Sequence, residues 1–458
     1  MYGYKNDYGL DKKFSQFRDL RELIRYGANS YGQNTAFKIK VASSPEGNTY
    51  EEKTYRDFFR DMERLGSALT KRCQKGDRVA IVGSNSYNWI LADVTIACGI
   101  GVVVPLDASL AHDDLEAQLI RSGATAIFYD KEHQEAVADI LMGGKTALRR
   151  GFTIDFRDEM IRGAEFIEDL LNEGEKILNK NDFTYMYSEI DPDALAFIQF
   201  TPGNAKAVML SHANLMSCNW GFNCEEYFPQ NDIAMITLPL HDIFSFMGMI
   251  TFVSQGIVSV FCDGPDRIID NMKEYQITVF QGTPEMVRQL YDTAEENIEQ
   301  KGKRKSVERR LRICAFFDRF NINLRKFLLR FINESFGGTL RFIISSVSAP
   351  DPVVQETLTS YGILTVHGYG LTEAASVISC ESYRYIKHGS SGKVMPNMIA
   401  RIDDPDDSGY GKLVIKGDNV MLGYLDDPQE TARVLDADGW LMTDDIGMID
   451  KDGFLFIA

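Results

Sequence analysis

Residues 197–215 read FIQFTPGNAKAVMLSHANL. An apolar run from Phe197 to Phe200 meets a Thr-Pro-Gly turn, and a helix-like segment follows. A strand that turns into a helix is the usual setting for a backbone loop that grips phosphate, because amide groups and the helix N-terminus converge on the anion. Such loops are rich in glycine and hydroxyl groups. This one holds a single glycine, Gly203, and a proline, Pro202, which has no N–H to give. Thr201 and Lys206 are the groups left to bind an anion.

The flanking sequence supplies the context. From about Lys53 to Asp130, amphipathic helical segments such as TYRDFFRDMERLGSALTKR alternate with short β-branched runs such as DRVAIVG, VVVPL and ATAIFYD. That is the rhythm of a βαβ sheet. A second alternating block begins at DALAFIQF and passes through IAMITLPL, GIVSVFC, ITVFQG and LRFIISSV to LTVHGYG. After about Ser390 the pattern changes to short strands broken by glycine and Asp-Pro turns, as in IARIDDPDDSGYGKLVIKGDNVMLGY. The expected architecture is α/β: two doubly wound subdomains, 1–190 and 191–385, and a small β-barrel subdomain, 386–458.

A chain of 458 residues is too long for one compact core and can bury a deep site between lobes. No apolar run approaches the roughly 20 residues of a membrane helix, and the first residues lack the order of a signal peptide, so a cytoplasmic protein is expected. The seven cysteines are scattered, with no pair at metal spacing, and read as free thiols. A net charge of −17 opposes nucleic-acid binding but leaves small phosphorylated ligands open. One stretch departs from that acidity. Residues 301–330, KGKRKSVERRLRICAFFDRFNINLRKFLLR, are basic and apolar at helical spacing, with only Glu308 and Asp318 as acids. A solvated helix covering a lobe edge and a peripheral membrane contact both fit it.

Two further segments, VHGYGLTEAASV (366–377) and DGWLMTDDIGMIDKDGFLFI (438–457), follow the opening stretch in order. With them the chain resembles the adenylate-forming superfamily, and within it the AMP-forming long-chain acyl-CoA synthetases. The likeness runs from KTYRDFFRDMERLGSAL through LPLHDIFSF and LRFIISSVSAPDP to GWLMTDDIG. It implies a two-step ligation: a fatty acid or other carboxylate attacks the α-phosphate of ATP, pyrophosphate leaves, and the thiol of CoA takes the acyl group from the adenylate. It also implies Mg²⁺. Carried over by motif, Tyr369 stacks on adenine between Gly368 and Gly370, Thr372 touches the α-phosphate, and Glu373 ligates Mg²⁺. Asp445 accepts from the ribose hydroxyls, and Ser348, Ala349 and Pro350 belong to the nucleotide site with Gly203. Thr201 and Lys206 are the phosphate-loop residues, and His241 stands beside the carboxylate. The helix IFSFMGMITFV would line the acyl pocket.

The chain departs from the family pattern at several places. Its phosphate loop is three residues shorter and has lost the hydroxyl-rich middle. Asp444 replaces a glycine in Thr443-Asp444-Asp445, which is awkward if the backbone there has positive φ. Lys412 stands where glutamate is usual. The sequence stops at Ala458, before the hinge and the small mobile domain of the family, so the large N-terminal domain without that C-terminal part is expected. Two alternative functions fit the same motifs: a catalytically silent adenylate-fold binding or regulatory protein, and an acyl-AMP ligase that loads a carrier protein.

Overall fold

The structure is a computed structural model that describes residues 16–458 apart from 45, 46, 159, 204, 321 and 346–349. Local sequence explains the first lobe well. In the helix Tyr55–Leu69, Phe58, Met62, Leu65 and Leu69 recur on one face and are buried. Thr54 and Asp57 close its start with a reciprocal capping box. The helix leads into Asp77–Val82, the centre of an eight-stranded sheet whose order is Gly423–Tyr424, Ala207–Ser211, Leu195–Phe200, Gly101–Leu106, Asp77–Val82, Ala126–Tyr129, Arg150–Thr153 and Glu165–Phe166. Its middle strands are parallel and buried on both faces, hence their near-continuous apolar sequence.

A second sheet has nine strands, in the order Lys393–Val394, Ser379–Cys380, Leu364–Tyr369, Phe342–Ser345, Val279–Gly282, Ile233–Ile236, Val258–Phe261, Thr35–Ser44 and Gly47–Thr54. The third, four-stranded and antiparallel, is formed by Met398–Asp403, Gly411–Gly417, Leu441–Ile449 and Leu455–Ile457. One hydrophobic cluster joins residues of all three sheets, with Trp89 and Tyr185 among its largest fully buried side chains. Each such side chain contributes roughly 1.5–3 kcal/mol relative to exposure.

The sheets exchange strands in a way the alternating blocks do not reveal. DALAFIQF opens the second block in sequence, yet its strand Leu195–Phe200 sits in the first sheet beside Gly101–Leu106. Conversely, Thr35–Ser44 from the start of the chain joins the second sheet beside Val258–Phe261. The opening stretch also differs from its first reading. Between the turn and the helix, Ala207–Ser211 forms an antiparallel strand, with Phe200 opposite Ala207. The motif is a hairpin followed by the helix His212–Glu225, whose N-cap is Ser211. A four-residue apolar run next to a turn, 207–210, is equally compatible with a helix start or a strand, and here pairing with the neighbouring strand decides.

Candidate active site

Two adjoining hollows of ≈ 330 and ≈ 360 Å³ open between the sheets and share Thr201, Pro202, Asp242 and Thr372. Their walls are built where strands of both sheets end. Leu195–Phe200 delivers Thr201, Ile233–Ile236 leads to His241, and Leu364–Tyr369 leads to Thr372 and Glu373. This is the crevice outside the carboxyl ends of strands, where α/β sheets bind ligands.

On one wall, Tyr369 ends its strand half-buried and its phenol donates to the Asp445 carboxylate. Burial first, and then that carboxylate, push the phenol above its usual range, so it stays a donor. Gly370 follows for a steric reason. A Cβ there would lie 1.5 Å from the Ser376 carbonyl oxygen, as the chain doubles back into the short helix Thr372–Ala374. Glu373 accepts from the Tyr424 hydroxyl at 2.8 Å, and its carbonyl accepts from Met421 N–H. The Glu373 carboxylate keeps acceptor capacity toward the hollow it lines. No group of three or more metal-ligating side chains occurs among the described residues. A cation here would therefore rely on Glu373, substrate oxygens and water, which is the usual way of holding Mg²⁺.

The opposite wall is the turn from Thr201 to Lys206. Thr201 N–H donates to the Lys206 carbonyl and Lys206 N–H to Thr201 Oγ1, both at 2.9 Å, which uses up groups an anion would want. Gly203 has φ +76° with nothing near its missing Cβ. Arg121, which lines the first hollow, braces the turn through the Ala205 carbonyl at 2.7 Å. The Lys206 ammonium is engaged too. It lies 2.6 Å from Glu430 Oε1 and 4.9 Å from the centre of the Tyr424 ring.

The same Glu430 carboxylate receives Arg433, whose guanidinium also reaches Asp444 at 2.8 Å. Arg433 first, and Lys206 next, hold the Glu430 carboxyl down at about 2. Asp444 has φ +63°, the left-handed conformation a glycine would take most easily. Arg433 lowers its carboxyl and compensates the charge that the substitution adds. Sequence reading did not single out Glu430, Arg433 or Tyr424. They lie more than 200 positions from Lys206, and no local pattern links them to it.

His241 is largely buried, and burial holds its imidazole below the usual range, in the neutral form. Its Nε2 faces Asp107 Oδ2 at 3.8 Å, and Gln199 Nε2 donates to its carbonyl. Asp242 caps the next helix, Ile243–Gln255, which is buried on nearly every side. Phe244 and Gly248 of that helix, with Phe222, Phe228 and Phe252, line a narrow apolar pocket with ≈ 20 Å³ of free room. Phe244 and Gly368 border both this pocket and the neighbouring hollow. Burial drives the ionisable groups in its lining toward neutrality, lifting Glu226 to about 8 and Glu381 to about 7 and lowering His367 to about 4.

Of the residues expected at the site, Thr201, Lys206, Gly203, His241, Gly368, Gly370, Thr372 and Glu373 line the two hollows. Tyr369 stands between the lining residues Gly368 and Gly370 without lining either hollow itself, and Asp445 is bonded to its phenol. Ser348 and Ala349 lie outside the described residues, and Pro350 is a buried residue just before the helix Pro352–Ser360. Lys412 is exposed on the third sheet and pairs with Asp404 at 3.3 Å, away from these contacts.

Comparison with known proteins agrees with the geometry. The model of the AMP-binding enzyme family matches residues 25–425. The chain is similar to "Long chain acyl-CoA synthetase 7, peroxisomal" of Arabidopsis thaliana, with 26% identity over 97% of this chain and 68% of the relative. It is also similar to "Long-chain-fatty-acid--CoA ligase 1" of Cavia porcellus, with 28% identity over 97% of this chain and 67% of the relative. Among solved structures it is similar in fold to a long-chain-fatty-acid-CoA ligase from Archaeoglobus fulgidus, with a TM-score of 0.77, 18% identity, and 97% and 84% of the two chains covered. A match over nearly nine-tenths of its length places the chain in the AMP-binding enzyme family.

Proposed function

We propose that the protein is an AMP-forming acyl-CoA synthetase acting on a fatty acid. The observation that carries this reading is the shared border at Phe244 and Gly368 between a polar crevice and an apolar pocket. A carboxylate at that border would have its oxygens toward Thr372 and its chain directed at the pocket, whose ≈ 20 Å³ of free room must widen by movement of the Phe244 and Phe252 side chains to admit it. Tyr369 and Asp445 would hold adenosine, and Thr372 with Lys206 the phosphates. Neutral His241 would orient the attacking carboxylate without adding charge repulsion or a competing ion pair. Mg²⁺ bound through Glu373 would neutralise phosphate charge as pyrophosphate leaves. The acyl-adenylate then passes its acyl group to the sulfur of CoA, and AMP departs. We divide the chain for this purpose into 1–190, 191–385 and 386–458. A cytoplasmic enzyme that touches a membrane surface through residues 301–330 completes the reading; no helix among the described residues is long and apolar enough to cross one.

A specific observation favours a second reading, a silent nucleotide-binding protein: Lys206 is already paired with Glu430 and its turn bonds to itself. Exchange of labelled pyrophosphate into ATP, measured across fatty acids of different length, separates the two. Fatty-acid-dependent exchange is expected from the synthetase. Binding of an acyl-adenylate analogue with no exchange for any acid would replace that reading with the second.

A further inference from the structure

The basic segment lines a further cavity, away from the crevice. The helix Arg304–Asp318 presents Lys305, Arg309, Arg312 and Phe316 along one exposed stripe, at spacings of four, three and four residues. Beyond it, Phe320, Ile322 and Phe327 are 62%, 45% and 82% exposed. Between the short helix Arg325–Leu328 and the starts of two strands lies a cavity of ≈ 370 Å³, lined by Arg325, Lys326, Arg330 and Arg341 together with Asn323 and Asn333. Arg341 immediately precedes the strand Phe342–Ser345, and Gly362, also in the lining, comes just before Leu364–Tyr369. The cavity is thus at the opposite end of these strands from Tyr369 and Thr372.

Its charge balance selects a ligand class. Arg325 is paired with Asp318 at 2.6 Å, and Arg341 with the buried Asp232. Lys326 has no ion-pair partner among the described residues, and Arg330 has only Glu334, at 3.9 Å. Lys326 and the loosely held Arg330 are the cations left to face a ligand, and the phosphomonoester, with its charge of about −2, is the anion that would draw on both. Residues 301–330 hold eleven basic and two acidic side chains in a chain of net charge −17, so the complement of this face is an anionic surface. Exposed phenylalanines beside the cations point to one with an apolar layer beneath its charge.

We propose that this cavity receives the phosphomonoester headgroup of an anionic phospholipid, with Phe316, Phe320 and Phe327 resting at the bilayer interface. The proposal rests on the membrane contact of residues 301–330 and adds headgroup selectivity, independently of ligase activity. The test is flotation with phosphatidylcholine vesicles carrying either phosphatidic acid or phosphatidylserine, adjusted to equal surface charge. A screened charge patch alone would not tell the two lipids apart. Roughly ten-fold tighter binding to phosphatidic acid is expected from charge-assisted bonds in the cavity. Lys326→Gln with Arg330→Gln should abolish that preference. Arg309→Gln with Arg312→Gln should weaken both bindings, roughly five-fold per charge, and keep the preference. Unchanged thermal midpoints verify that the variants are folded. Equal binding of both lipids, or a preference that survives in the cavity variant, overturns the headgroup site while leaving the membrane contact standing. No binding to either anionic vesicle at low salt overturns both.

Discussion

The two walls of the crevice are built differently. The wall of Tyr369, Thr372, Glu373 and Asp445 is fixed by the end of a second-sheet strand, the middle of a third-sheet strand, a glycine that only a close backbone approach explains, and paired polar side chains. The facing wall is a short turn that binds the Thr201 and Lys206 N–H groups internally and has the Lys206 ammonium paired with Glu430. In the proposed function, the first holds adenosine and the α-phosphate and the second the β- and γ-phosphates. A site of this kind should distinguish poorly between ATP and AMP. The strand-end wall keeps its geometry because the core holds it. The turn has little packing of its own, so a loop shortened here would weaken its hold on the outer phosphates without disturbing the fold.

The largest effect expected is on the strong wall. In the proposed function, Asp445→Ala removes the acceptor for two ribose hydroxyls, each bond to a charged group being worth roughly 1.5–3 kcal/mol. Affinity for an acyl-adenylate analogue, read by calorimetry, should fall by about a hundred-fold or more. Asp444→Ala should leave it nearly unchanged, because that side chain faces Arg433 instead. Equal losses in both variants would refute the register and with it the contrast between the walls.

Next comes repair of the weak wall. Pro202→Ser combined with insertion of Thr-Thr-Gly after Gly203 restores donors for the outer phosphates. The ATP-to-AMP affinity ratio should rise by roughly ten- to a hundred-fold, from two or so recovered bonds. If the native chain already prefers ATP strongly, the turn is not deficient. A smaller gain is expected from Glu430→Gln, which releases Lys206. Exposed ion pairs are weak competitors, so ATP affinity should improve by about five-fold at most. A loss of ATP affinity instead would make Glu430 a support for the loop rather than a competitor.

The smallest effect should come from Asp444→Gly, measured by thermal unfolding. Glycine relieves the left-handed φ of +63° but gives up the Arg433 contact and gains freedom in the unfolded chain. The net change is expected within about 0.5 kcal/mol. A larger destabilisation would mean that the ion-pair chain through Arg433 holds the third sheet in place.

The sequence by itself determined the α/β class, the capped amphipathic helices such as Tyr55–Leu69, the buried parallel strands, and the family motifs around Tyr369, Thr372 and Glu373. It also indicated the awkwardness of Asp444, which the positive φ bears out. These are local matters: periodicity sets which face is buried, and a glycine or a cap reports on its own few residues. Only the tertiary structure decided that Leu195–Phe200 and Ala207–Ser211 form a hairpin in the first sheet and that Thr35–Ser44 crosses to the second. It alone paired Lys206 with Glu430 and Asp444 with Arg433, and neutralised Glu226 by burial. Strand partners, distant ion pairs and desolvation depend on how whole elements pack. A chain segment carries no local record of what will lie against it.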